Sequence, residues 1–195
     1  MLQYFLAIFN SINYYVFMSS VVLFFIGYVF APTAYFKRIK WLTAYPFFII
    51  NLIDKYFNKN WHPVKIFLVL FILNTFSLYI NLLSGYTIIL PYIMAVYLGL
   101  NIGIIMYHTL EGRFFYISLI NPVAILELPA SWLSLTMAMQ FSLNKILNIS
   151  PIPDINFKQY STYFLITIIP LLVTAGIIET ILIIIARKHE KYKEE

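Results

Sequence analysis

Five stretches of this chain stay apolar long enough to cross a membrane, since a helix rising ~1.5 Å per residue needs about 20 residues to cover a hydrocarbon core of roughly 30 Å. They run over 12–31, 64–83, 86–108, 114–140 and 160–186. Only Gly85 and its neighbours separate the second stretch from the third, which predicts a tight antiparallel hairpin. No segment repeats at a period typical of solenoids, so the pattern reads as one all-α domain over 1–195, a polytopic membrane bundle of five transmembrane helices.

The break from Pro32 to Pro63 has a different pattern. Trp41, Tyr45, Phe47, Phe48, Ile49, Leu52, Ile53, Tyr56 and Phe57 are interleaved with Asp54, Lys55 and Lys59, after a basic Lys37-Arg38-x-Lys40 entry. The segment is too polar to span and too aromatic for a plain linker. It predicts an amphipathic helix within 37–60, started or broken near Pro46, lying either in the membrane interface or packed on the bundle.

Composition agrees with membrane residence. Hydrophobic residues make up 62% of the chain and charged ones 11%, against about 45–50% and 25% in soluble domains. Many of the 16 Tyr and 18 Phe fall near span ends, where aromatic belts sit. Met1 to Asn13 lacks a basic n-region and no small-residue cleavage site follows 14–30, so the first stretch is expected to be retained.

With no cysteine, a disulfide framework and a thiolate metal site are excluded. His62, His108 and His189 are scattered and none belongs to an H-E-x-x-H pattern, so no metal and no cofactor is expected.

Basic residues set the orientation. The segments after the first, third and fifth spans hold Lys37, Arg38, Lys40, Lys55, Lys59, Lys65, Arg113, Arg187, Lys188, Lys191 and Lys193, eleven in all, while the opposite side holds Lys145 and Lys158. Short cytoplasmic loops carry such an excess, which puts the N-terminus outside and the C-terminus in the cytoplasm of a multi-pass cell-membrane protein. The sequon Asn148-Ile149-Ser150 falls on the outer side. The expected partner of the basic residues is the lipid bilayer; no nucleic-acid partner is expected.

Inside the spans two acids stand out. Glu127 lies in Asn121-Pro122-Val123-Ala124-Ile125-Leu126-Glu127-Leu128-Pro129-Ala130, about 20 Å into the fourth span counted from Arg113, and Glu179 lies about 12 Å in from Arg187. No lysine or arginine lies at their depth within the spans, and a carboxyl group there needs a partner or a proton. Pro122 and Pro129 each remove a backbone donor and clash with the carbonyl four residues earlier, so the fourth span is expected to kink or unwind around Asn121 to Leu128. Glu127 would then precede a new helical start at Pro129, either as its cap or as a working group in transport or partner binding. Asn74, Asn101 and Gln140 are further polar positions suited to interhelical hydrogen bonds. Gly99 and Gly103 form a G-x-x-x-G pair, and Gly176 follows Ala175, both patterns that let helices approach closely, within the chain or in a dimer.

At these residues the sequence resembles the stage II sporulation protein M family of integral membrane proteins. Asn74, Gly85, Pro91, Asn101, Pro122, the Glu127-Leu128-Pro129-Ala130 run and the Ala175-Gly176-Ile177-Ile178-Glu179 run match its pattern, over about Lys65 to Arg187. Val123 and Ala124 stand where the family has His and Gly, so any role of that histidine is lost. The resemblance implies a helical membrane protein of about five spans. It also implies a scaffold, since the family's namesake in spore-forming bacteria looks like one that brings peptidoglycan-degrading enzymes to the septum.

Two functions therefore compete. One is a non-enzymatic membrane scaffold or assembly subunit, self-associating or bound to other membrane proteins. The chain has no G-x-S-x-G, no H-E-x-x-H and no aspartate within a span, so it is not expected to be an enzyme. The other is a permease subunit, the partner of a separate ATPase, using the glutamates for proton or cation coupling. An intramembrane enzyme would need the two glutamates alone to act as acid and base.

Overall fold

The computed structural model describes residues 8, 10–57, 61–113, 115, 117–147 and 155–194. Lys59 and the sequon Asn148-Ile149-Ser150 lie outside them. Among the described residues every regular element is helical: α1 (Tyr14–Phe36), α2 (Lys40–Phe57), α3 (Pro63–Leu83), α4 (Leu90–Thr109), α5 (Pro122–Leu147), α6 (Phe157–Tyr163) and α7 (Ile169–Glu194). Five segments are long and apolar enough to cross a membrane: α1, α3 with the turn after it, α4, α5, and the run from α6 through α7 to Arg187. The chain is an all-α, multi-pass membrane bundle.

Local chemistry starts these helices. Asn13 caps α1, its Oδ1 accepting the amides of Tyr15 at 3.0 Å and Val16 at 3.3 Å. Proline stands in the first turn of α3 and α4, where its missing N–H costs nothing. Between α6 and α7 the backbone widens into a π turn over Phe164–Ile168. Pro170 follows and cannot donate to the Ile166 carbonyl, so the hydrogen-bond ladder shifts register there.

Glycine decides the first pairing. α1 and α4 run parallel and in contact along their length. A Cβ on Gly27 would enter the Val96 carbonyl, one on Gly99 the Phe24 carbonyl, and one on Gly103 the Ala31 methyl. The G-x-x-x-G pair is therefore consumed inside the chain, and any self-association has to use another face.

α5 sits at the centre. Every residue from Ser134 to Ser142 is buried, because α1 and α4 cover one side of it and α3 and α7 the other. α3 and α4 do not form the expected hairpin. The link is short, a 3-10 turn over Ser84–Tyr86, but Gly85 is pressed onto Ala138 of α5 and the two helices diverge, α3 to α5 and α7, α4 to α1.

Two other expectations are corrected. The fourth span begins at Pro122, not 114, and ends at Leu147, not 140; the third begins at Leu90, and the first extends to Phe36. α2 runs through Pro46 without a break and starts at Lys40. Its Thr43, Pro46 and Ile50 are buried while Trp41 and Phe48 are exposed, so it packs on the bundle with one face and turns an aromatic face outward.

Candidate functional site

α3, α5 and α7 each bring one polar side chain to a common point. Asn74 of α3 donates its Nδ2 hydrogen to Glu127 Oε1 of α5 at 2.5 Å, and Glu179 of α7 is near enough for its charge to act on Glu127. The Glu127 main-chain carbonyl accepts the Ser131 hydroxyl at 2.8 Å. All three side chains are partly buried rather than sealed. Nearby, Gly176 lets α7 approach α3, with the Phe67 ring 3.2 Å from where a Cβ would lie.

The depth of this centre follows from helix rise. Glu179 stands eight residues from Arg187 and Asn74 eleven from Pro63, placing the level about 12–16 Å from the lysine-rich pole, near the bilayer middle. At that pole the Arg187 guanidinium donates to the Trp61 carbonyl at 3.4 Å, so α3 and α7 end together. Glu127 lies only about 7.5 Å from Pro122, the start of its helix. The start of α5 is therefore recessed into the bundle.

The recess is made by the α4–α5 connector. After α4 the chain reverses through Glu111 (φ 49°) and Gly112 (φ 76°), then turns inward. Phe115 is 4% exposed and stacks on Tyr28 at 4.4 Å between ring centroids, and the Tyr28 hydroxyl donates to the Phe115 carbonyl at 2.6 Å. Irregular backbone is tolerated at such depth only when buried in protein. This corrects the expected kink. The break in the fourth span precedes Pro122, which is the first helical residue after Asn121, whose Oδ1 accepts the Ala124 amide at 2.8 Å. The helix continues through Pro129. Glu127 is thus inside a helix rather than at the cap of a new one, and Asn121 does the capping.

Of the positions singled out by sequence, Asn74 and Glu127 bond to each other, Glu179 lies within range of the Glu127 charge, and Pro122 and Pro129 are on the same helix as Glu127. Asn101 does not join them. It is 6% exposed on the α4 face shared with Tyr97 and His108, whose rings meet Tyr45 and Phe47 of α2, and its Oδ1 has no hydrogen-bond partner. Gln140 lies at the opposite pole, where its amide takes the Asn13 N–H at 3.1 Å and gives to the Ser11 carbonyl at 2.9 Å.

Interhelical bonds made by small hydroxyl residues escaped the sequence reading. Ser134 donates to the Leu78 carbonyl at 2.6 Å, and Ser20 and Thr136 lie 3.2 Å apart between α1 and α5. The density of Ser and Thr in the fourth span was the available signal. Among the described residues no three His, Asp or Glu side chains gather as a metal site would require.

No curated protein and no solved structure matches the chain. The family model described as Stage II sporulation protein M does, over residues 15–182, from the second residue of α1 to the middle of α7 and including all three members of the buried polar centre, and the chain belongs to that family.

Proposed function

We propose that this chain is a non-enzymatic membrane scaffold or assembly subunit, in the cell membrane with its basic pole in the cytoplasm, associating with further copies or with other membrane proteins. One observation carries the reading: several polar side chains inside the spans bond one element to another. Asn74 ties α3 to α5 through Glu127, Ser134 ties the same pair through the Leu78 carbonyl, Ser20 and Thr136 join α1 to α5, and Tyr28 fastens the connector. Polar groups used this way hold helices in one arrangement, each contributing roughly 0.6 to 2 kcal/mol. A bundle so fastened offers a fixed surface on which others assemble.

The second reading, a permease subunit, is favoured by one feature: two carboxyl groups close together near the bilayer middle, neither sealed from its surroundings. Glu127→Gln, Glu179→Gln and the double variant separate the two. Each is scored for assembly by crosslinking in the membrane and for proton and cation flux in reconstituted vesicles. The scaffold reading expects no flux above empty vesicles from the unsubstituted protein. Flux that the double variant abolishes while assembly persists would overturn it.

A further inference from the structure

α2 crosses α4 rather than running beside it. The Tyr45 ring lies 6.4 Å from the Tyr97 ring between centroids, and the Phe47 ring lies 5.7 Å from that of His108. Tyr45 and Phe47 are neighbours but one on α2, a rise of ~3 Å, whereas Tyr97 and His108 stand ~16 Å apart along α4. Helices lying side by side would bring two such residues to the same turn of the partner. The wide separation instead matches the breadth of a helix with its side chains, ~10–12 Å, extended by the reach of the rings. α4 is a membrane span, and a helix crossing it steeply runs along the membrane plane.

The same contacts give the depth. Tyr97 and His108 bracket the level of α2, whose axis falls about 10 Å short of Thr109, the last residue of α4. An interfacial helix rests at such a depth, its apolar side about 5–10 Å into the boundary between headgroups and acyl chains. Phe47 also meets the Tyr35 ring at 5.9 Å, next to the end of α1, so the outer edge of α2 is level with the ends of both spans.

At ~100° per residue the side chains sort by that level. Thr43, Pro46 and Ile50 are buried against the bundle. On the Tyr45 side, toward the bilayer middle, stand Leu42 and Ile49; Leu42, like Leu98 and Ile102 of α4, packs against the buried cluster around Phe24 and Leu100. On the Phe47 side, toward the pole, stand Lys40 and Asn51, both exposed. Trp41 and Phe48 point away from the bundle along the plane, 75% and 60% exposed, with Tyr45 at 46% beside them. Lys37 and Arg38, in the turn that enters α2, are exposed where α1 leaves the span. Trp and Tyr rings gather at the headgroup boundary, and basic side chains are drawn to the lipid phosphates there.

We infer that α2 lies in the plane of the membrane, sunk into the leaflet at the lysine-rich pole, and that phospholipid covers its Trp41, Tyr45 and Phe48 face. A protein partner approaching this pole then meets α2 along its Lys40 and Asn51 edge.

The test uses the cysteine-free full chain carrying one nitroxide-labelled cysteine at a time, reconstituted in phosphatidylcholine vesicles. The positions are Tyr45→Cys, Phe48→Cys and Asn51→Cys on α2, with Val22→Cys on the exposed side of α1 as the reference inside the bilayer. All four are exposed, so each variant is expected to keep the thermal midpoint of the parent. Power-saturation EPR then measures collision of each label with oxygen, which concentrates in lipid, and with a water-soluble nickel chelate. The oxygen-to-nickel ratio is expected to fall in the order Val22→Cys, Tyr45→Cys, Phe48→Cys, Asn51→Cys, with Phe48→Cys at least about threefold above Asn51→Cys. Equal ratios at those two positions, both open to nickel, would place the aromatic face in water and overturn the inference. A Phe48→Cys label closed to oxygen and nickel alike would show protein covering that face, and would overturn lipid as its occupant.

Discussion

Among single residues, glycines and amides govern this bundle more than its charges do. A methyl at Gly27 or Gly99 points at a backbone carbonyl of the facing helix, which cannot swing away as a side chain can. Gly27→Ala and Gly99→Ala are each expected to destabilise by about 1–3 kcal/mol or more, seen as a lower thermal midpoint in detergent. Gly176→Ala is the contrast. Its new methyl meets only the edge of the Phe67 ring at 3.2 Å, and the gain in helix propensity of about 0.5–1 kcal/mol offsets the crowding, so its midpoint is expected near that of the parent. Asn74→Leu removes the donor to Glu127 and is expected to lose about 1–2 kcal/mol, whereas Asn74→Gln tests whether the amide alone suffices. The sequence made Gly99, Gly103 and Glu127 conspicuous as chemical types. It left Gly27 unmarked, because nothing in α1 says which face meets α4.

For whole elements, the helices themselves were legible and their ends less so. The fourth span illustrates why. The stretch 114–121 is as apolar as a helix, yet the helix starts only at Pro122, because Phe115 finds the face of Tyr28 and Asn121 caps the helix that follows it. Apolarity measures burial in lipid or protein alike, so the inserted connector looked like more helix. Each of the two prolines predicts a break, because it removes a donor. One proves to be a helix start, and a single missing bond at Pro129 does not interrupt a helix held on all sides by neighbours. Asn121→Ala is therefore expected to cost about 1 kcal/mol, with Asn121→Asp or Asn121→Ser retaining most of the stability, measured by the same thermal assay. At the other end of α5, Gln140→Leu leaves the Asn13 amide and Ser11 carbonyl without their partner. Its expected loss is about 1–3 kcal/mol, with faster hydrogen exchange at the start of α1.

Over the whole molecule, the number of spans follows from chain composition, but their neighbours do not. In lipid the outward face is as apolar as the inward one: Phe24 and Tyr28 are buried while Phe25 and Phe30, of the same chemistry, face out. Hence the short link between α3 and α4 suggested a hairpin, and only close packing at Gly27, Gly85 and Gly99 reveals the real partners. Which pole faces the cytoplasm is a separate question, on which the charge distribution makes a prediction. Arg113 stands at the pole with most of the basic residues and Lys145 near the end of α5 at the other, so the positive-inside bias predicts opposite accessibility for the two. The chain has no cysteine, which makes the experiment direct: Arg113→Cys and Lys145→Cys each carry a single thiol, and neither position is buried. In intact cells a membrane-impermeant maleimide is expected to label Lys145→Cys and to label Arg113→Cys only after permeabilisation. The reverse pattern would invert the topology.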